Sequence, residues 1–407
     1  MSAGGWTGGA TEVEAVEAVD AVVVGLGGIG SAAAWQLARR GASVVGLEQF
    51  ELGHARGASH DTSRILRRSY HTPGYVRLAG EAYDDWSDLE HAAGEPLVTR
   101  TGGVDLFPPG AAIPADDYAT SMTAEGVPFE VLGAADVTAR WPAMRVPDGT
   151  VALWQEDTSV VPAGRTTRVL QRLASGAGAR LRDRSPVVAL EAHDDGTVGV
   201  RCGGDRPAYR ARHVVLAADA WTGDLLAHLG TTLPLTVTRE QVTYFRPDDL
   251  GPLTPPALPV WIWMDDPSYY GFPVYDEPGS AGLVKAGQDV GGRVTTADGR
   301  SFEPDADGED RLAGFVGSLL PGAGRAERTV TCLYTLTPDR DFVLDRLPKH
   351  PAVVVGLGAG HGFKFVPTFG RVLADLVTDG ATTSDLSAFA VDRPALVEPD
   401  HPTSWLV

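Results

Sequence analysis

Residues 20–50 read DAVVVGLGGIGSAAAWQLARRGASVVGLEQF, and the order within them is strand, tight turn, helix, strand. Val22 to Val24 form a short continuous apolar run, the pattern of a parallel strand covered on both faces. Gly25, Gly27 and Gly30 then space G-x-G-x-x-G. In that motif the first glycine makes the turn, the second lets a pyrophosphate approach the backbone, and the third lets the helix pack on the sheet. The helix from about Ser31 to Arg40 aims its free N–H groups and positive dipole end at that phosphate, and Gly41 closes it. SVVGLE is the next strand. It ends at Glu48, 23 residues beyond Gly25, where a carboxylate accepts hydrogen bonds from a ribose 2′-OH. Strand, motif, helix and terminal acid together predict a dinucleotide site. The acid disfavours NADP but does not separate NAD from FAD.

The rest of the chain sets limits. At 407 residues it is too long for one ordinary core, so two domains are expected. Its balance of 43% hydrophobic and 21% charged residues is that of a globular protein. No apolar run reaches the roughly 18 residues that span a bilayer, and a net charge of −19 repels nucleic acid and anionic lipid. The first twenty residues lack a basic segment followed by an apolar one, so no signal peptide is read there. Two cysteines, Cys202 and Cys332, rule out a disulfide framework and fit a reducing cytoplasm. No metal-ligand spacing stands out. Of 34 basic residues only Lys285, Lys349 and Lys364 are lysine.

After Glu48 an NAD enzyme would continue with strand–helix units. Here a polar segment follows, with Arg64, Arg67 and Arg68 ahead of a helical pattern that starts near Tyr75. Such a run is either a solvated basic patch or an anion and cofactor site. Within it SHDTSRILR (59–67) resembles the flavin-contacting loop of the monomeric sarcosine oxidase family. That family also includes N-methyltryptophan oxidase and pipecolate oxidase, within the D-amino-acid-oxidase-like group.

The resemblance runs from about Asp20 to Leu386. It includes TSVVPAGRTTRVLQRLASGAGARLRDRSPVVALE, HVVLAADAWTGDLLAHLG, the hairpin SYYGFPVYDEPGSAGLVKAGQD and the segment TCLYTLTPDRDFVLD. It implies FAD as cofactor, with Arg64 close to the flavin ring, His60 nearby, and the backbone around Val187 and Val188 against the adenine. Cys332 would carry the flavin through an 8α-thioether, a reaction that needs a thiolate and so a basic site. Otherwise it is a small buried hydrophobe, as Cys202 is read to be. One departure is Asp219, where relatives write glycine before Ala-Trp.

Lys285 sits late in a strand, where alternation allows a solvent-facing lysine. The resemblance instead places it over the reactive edge of the flavin, stabilising the superoxide formed when oxygen takes its first electron. AVVVGLGAGHGFKFVPTFGRVLADLVTDG (352–380) repeats strand, glycine loop and helix without the compact motif. It reads as the last strand of the cofactor sheet, turning Gly358, Gly360, Gly362 and a helix N-terminus toward the ring. By resemblance, Lys364 and Arg67 grip the substrate carboxylate and Tyr270 and Tyr334 wall the cavity. Asp289 replaces a common histidine; an open carboxylate there would disfavour a second acidic group and attract an amine. Trp261 and Trp263 either line a roomy cavity or are structural.

The resemblance therefore implies an FAD oxidase of secondary-amine amino acids, sarcosine-like N-alkylglycines with a larger N-substituent. It would cleave the C–N bond through an imine to amine plus aldehyde or glyoxylate, reducing O2 to H2O2. Alternatives are a pipecolate, cyclic imino-acid or plain sarcosine oxidase, an NAD-linked dehydrogenase, and a non-catalytic flavin-binding protein. The expected partners are a small-molecule amino acid and O2, with the chain acting as a monomer.

The expected architecture is an α/β cofactor domain, Rossmann-like with a parallel sheet, plus an α+β substrate domain whose sheet is mostly antiparallel. The first would comprise 20–100, 157–236 and 329–386, and the second 101–156 and 237–328. A loose tail (1–19) and an extension (387–407) without readable chemistry complete the chain.

Overall fold

The computed structural model describes residues 16–204 and 206–406. Most of the expected N-terminal tail lies outside them, but Val16–Val19 do not belong to a tail. They open strand β1 (Val16–Val24), which pairs in register with Ala208–Leu216 from Val16↔Ala208 to Val24↔Leu216.

Five parallel strands form the centre of the first sheet, in the order 180–182, β2 (Val44–Leu47), β1, 208–216 and 350–357. The two valine strands thus lie in one sheet, separated only by Ala208–Leu216. Antiparallel strands Val187–Ala192 and Val198–Cys202 extend one side, and Val343–Leu347 pairs with His350–Leu357. Val22 and Val23 are wholly buried, as are Val353 to Val355. Each such side chain removed from water stabilises the fold by about 1.5–3 kcal/mol, and their continuous apolar run reflects cover on both faces.

Helix α1 (Gly28–Arg39) follows the first turn and buries Ala32, Ala33 and Ala34 completely. Its neighbour is the C-terminal helix Val366–Thr378. A Cβ at Gly370 would come within 2.5 Å of the Ala32 Cβ, so these small residues set the closeness of the crossing. That contact brings the first and last glycine loops together.

The second sheet has nine strands and is antiparallel except where Val260–Trp263 runs parallel to Gly103–Phe107. Its longest ladder joins Thr236–Arg246 to Arg325–Leu336. The expected return to the cofactor domain at residue 329 therefore comes later: the Cys332 strand hydrogen-bonds entirely in the second sheet, and the chain rejoins the first with Val343–Leu347. A small three-stranded sheet unites Arg64–Leu66, Ser159–Val161 and Thr99–Arg100. No helix among the described residues is long and apolar enough to cross a membrane.

Candidate active site

A cavity of about 660 Å³ runs between the two sheets, from Glu48 and the first glycine turn to Lys364. Gly25 (φ +88°) turns where a Cβ would lie 2.5 Å from the Ala217 carbonyl oxygen, and a Cβ on Gly30 would overlap the Gly25 carbonyl. Both positions require glycine. Glu48 ends β2 and is fixed on three sides. It accepts hydrogen bonds from the Leu26 N–H (2.9 Å) and the Phe50 N–H (3.1 Å), and His54 Nε2 lies 3.2 Å away. Burial works to raise its pKa, but the hydrogen bonds from His54 and Leu26 outweigh that and hold the carboxyl below its usual range. Val187 lines this end. Val188 does not: alternation turns it outward and leaves it 38% exposed. Asp219, where the sequence resemblance expects glycine, adopts φ +47°, an aspartate in the left-handed region.

The 58–67 segment builds the middle. Arg64 donates to the carbonyls of Ser63 (2.8 Å), Ala58 (2.8 Å) and His60 (3.0 Å), clamping its own loop. Within that loop Asp61, itself at φ +78°, meets Lys285 Nζ at 2.6 Å, and Lys285 also donates to the Ser63 carbonyl at 3.0 Å. Lys285 is 3% exposed. Burial brings its pKa down to about 8, with the Asp61 charge opposing the fall. His60 is pushed down to about 4 by burial and the Arg64 charge, so it is neutral, and its Nε2 has no protein partner.

Cys332 faces the same cavity, opposite Glu240 in the ladder. Burial pushes its thiol pKa up to about 12, against the lowering pull of the nearby Arg64. The charges are in place, but desolvation of the thiolate is the larger effect.

At the far end Arg67 and Lys364 flank one ring. The Arg67 guanidinium carbon lies 4.5 Å and Lys364 Nζ 5.3 Å from the Tyr70 ring centroid. Arg67 rests on Ser69 and on Asp105, 3.5 Å away. Lys364, only 9% exposed, donates to the Tyr70 hydroxyl at 2.9 Å, and makes no ion pair among the described residues. Burial and the neighbouring Arg67 charge push its pKa well below the usual lysine value. Gly358, Gly360 and Gly362 line the adjoining wall, and a Cβ at Gly360 would meet the Tyr334 ring at 2.6 Å. Tyr270 and Tyr334 also line the cavity.

Asp289 is present but not open. Both its oxygens accept from Arg340, at 2.7 Å each, and Arg340 also donates to the Trp405 carbonyl at 2.7 Å. The free carboxylate expected there is a neutralised pair, and the C-terminal extension, expected to carry no chemistry, reaches the site. Trp261 and Trp263 are structural: they pack around Phe315, while Ile262 and Met264, on the opposite face of the same strand and just beyond its end, line the cavity. Arg340 and Asp61 lie inside quoted motifs and were legible as neighbours. Tyr70, Ser69 and Asp105 carried no such signal, because only packing joins Ser69 to Asp105.

These residues fit FAD. Gly25, Gly27 and Gly28 would receive the pyrophosphate, Glu48 the ribose and Val187 the adenine. The ring would lie by Arg64, Lys285, Cys332 and the second glycine loop, where the unpartnered His60 Nε2 awaits a polar atom.

Residues 20–376 match the family model described as FAD dependent oxidoreductase (DAO). A monomeric sarcosine oxidase of Streptomyces avermitilis is 35% identical over 381 residues, covering 92% of this chain and 97% of that protein. An N-methyl-L-tryptophan oxidase of Yersinia pestis is 30% identical, covering 91% and 98%. Among solved structures, the open form of NikD, described as an unusual amino acid oxidase essential for nikkomycin biosynthesis, superposes with a TM-score of 0.82. It shares 30% identity, over 95% of this chain and all of that one. The chain belongs to the FAD dependent oxidoreductase family, within its sarcosine oxidase and N-methyltryptophan oxidase branch.

Proposed function

We propose that the protein is an oxidase of secondary-amine amino acids, acting on N-alkylglycines larger than sarcosine, with FAD held covalently through Cys332. The observation that carries this reading is the pair Arg67 and Lys364 close to the Tyr70 ring: a buried lysine without an ion-pair partner among the described residues, near a fixed guanidinium, invites an external carboxylate. Binding that carboxylate would raise the Lys364 pKa, opposing the lowering by burial. The grip leaves the amine to lie between Tyr270 and Tyr334. Its neutral form is favoured by the cations around it, so no strong base is needed and none is assigned.

Bound FAD would take the hydride equivalent released as the C–H bond beside the nitrogen breaks and C=N forms, and its two electrons would go on to O2 to give H2O2. The resulting imine hydrolyses to an amine and glyoxylate. Lys285, anchored by Asp61 and the Ser63 carbonyl, is a preorganised ammonium for the negative charge that develops on oxygen. Arg64 and Lys285 are the nearby cations that oppose the burial-driven rise of the Cys332 thiol. A soluble monomer in the cytoplasm is the setting that goes with this reading.

Anaerobic mixing with N-alkylglycines of several chain lengths tests the proposal. The expected result is bleaching of the visible flavin band, followed on aeration by stoichiometric peroxide and glyoxylate. Absence of both products from every N-alkylglycine overturns it. Acid precipitation tests the linkage: colour stays in the pellet of the wild type and moves to the supernatant in Cys332→Ala.

A further inference from the structure

Next to the main cavity lies a second one of about 220 Å³. Met264, Ser268 and Asp289 line both, so the two chambers share a floor and are parted at the Asp289–Arg340 pair. The remaining walls mix apolar Ile113, Tyr118 and Val290 with the polar Asp265 and Asp266. The roof is the end of the chain, through Thr403, Trp405 and Leu406.

Three hydrogen bonds hold that roof. The Ser404 N–H donates to the Pro338 carbonyl (2.8 Å), Trp405 Nε1 to the Thr337 carbonyl (3.2 Å), and Arg340 to the Trp405 carbonyl (2.7 Å). Arg340 thus ties the partition to the strap with one guanidinium. It takes φ +61° to do so, and Val290, on the wall beside Asp289, takes φ +52°. A β-branched residue in the left-handed region is strained, and such strain gathers where a site is shaped.

From this we infer that the second chamber is the distal subsite for the substrate's N-substituent, a group the size of a single ring, and that the C-terminal strap is its specificity-determining wall. The inference rests on the N-alkylglycine reading above. Once Arg67 and Lys364 hold the carboxylate, the N-substituent is the part of the substrate left to extend past Asp289. A cavity of about 150 Å³ is large enough for benzene, so the volume of about 220 Å³ here suits a single ring. With Asp289 neutralised by Arg340, and with Asp265 and Asp266 on the lining, a substituent ending in a carboxylate is disfavoured.

The test compares kcat/KM for N-benzylglycine with that for sarcosine, in the wild type, in a chain ending at Pro402 and in Leu406→Trp. The expected ratio favours N-benzylglycine at least tenfold in the wild type, and falls about tenfold in both variants. One loses a wall; the other has it filled. Loss of stability alone lowers both rates and leaves their ratio in place. A second readout needs no turnover: the perturbation of the flavin spectrum gives Kd for benzyloxyacetate and methoxyacetate, ethers that mimic the substrates, and their ratio should fall in parallel. If N-benzylglycine is oxidised but both ratios stay within twofold of wild type in both variants, the subsite is refuted and the function stands. If no N-alkylglycine is oxidised and neither ether perturbs the spectrum, both are refuted.

Discussion

Lys285 and Lys364 are both buried in one cavity, and the structure treats them in opposite ways. Lys285 has a resident counter-ion: Asp61 is 2.6 Å away and the Ser63 carbonyl accepts a second hydrogen bond, so burial brings its pKa only to about 8. Lys364 faces Arg67, a second cation, and bonds only the neutral Tyr70 hydroxyl, so its pKa falls much further. The first has its counter-charge built in. The second has no ion-pair partner among the described residues, which is the feature the proposed carboxylate site would use. Desolvation of a charged group costs several kcal/mol, and where the protein supplies the compensating partner the charge is catalytic equipment. Where it withholds the partner, that unspent interaction becomes binding energy for a ligand.

The comparison can be broken in four ways. Lys285→Met should have the largest effect, slowing reoxidation of the reduced enzyme by oxygen about 10²–10³-fold, the loss seen when one donor of a preorganised charge site is removed. Rapid mixing of the photoreduced protein with oxygen reads it; a rate within threefold of wild type would remove Lys285 from the oxygen step. Lys364→Met should weaken carboxylate binding by about 30–100-fold, the value of a charge-assisted hydrogen bond in a dry site. The oxygen rate should change little. Equal losses in both steps would mean the two lysines do not divide the work.

The third way is pH. Lys285 is depressed to about 8, so its charge is lost as pH rises through that value, and the oxygen rate should fall on the alkaline side. Asp61→Asn removes the charge that opposes the shift and so moves this falling limb to lower pH. A limb that stays put in Asp61→Asn assigns the titration to another group. Tyr70→Phe should be the smallest change, raising KM about two- to fivefold through one neutral hydrogen bond. An effect as large as that of Lys364→Met would make the hydroxyl a direct substrate ligand.

Much of this was readable along the chain because the information is local. G-x-G-x-x-G followed by an acid at the end of the next strand needs only backbone sterics and one helix dipole to become a phosphate and ribose site. Rare lysines in an arginine-rich chain, and the run SHDTSRILR, marked the cations of the site before any contact was known. Local pattern also misled. At Asp289 it showed a carboxylate, but not that Arg340, 51 residues on, closes over it. At Cys332 it showed a basic neighbourhood, but not that burial would push the thiol pKa up against it.

What the sequence alone determined, then, is the family, the nucleotide cradle and the chemical types present at the site. The tertiary structure decided which charges are satisfied. It gave Lys285 an aspartate and Lys364 no acidic partner among the described residues, paired Asp289 with Arg340, pushed the Cys332 pKa up by burial, and folded residues 403–406 over a second chamber. The reason is physical: propensity and spacing act over a few residues, whereas desolvation and pairing energies depend on what long-range packing places within about 4 Å.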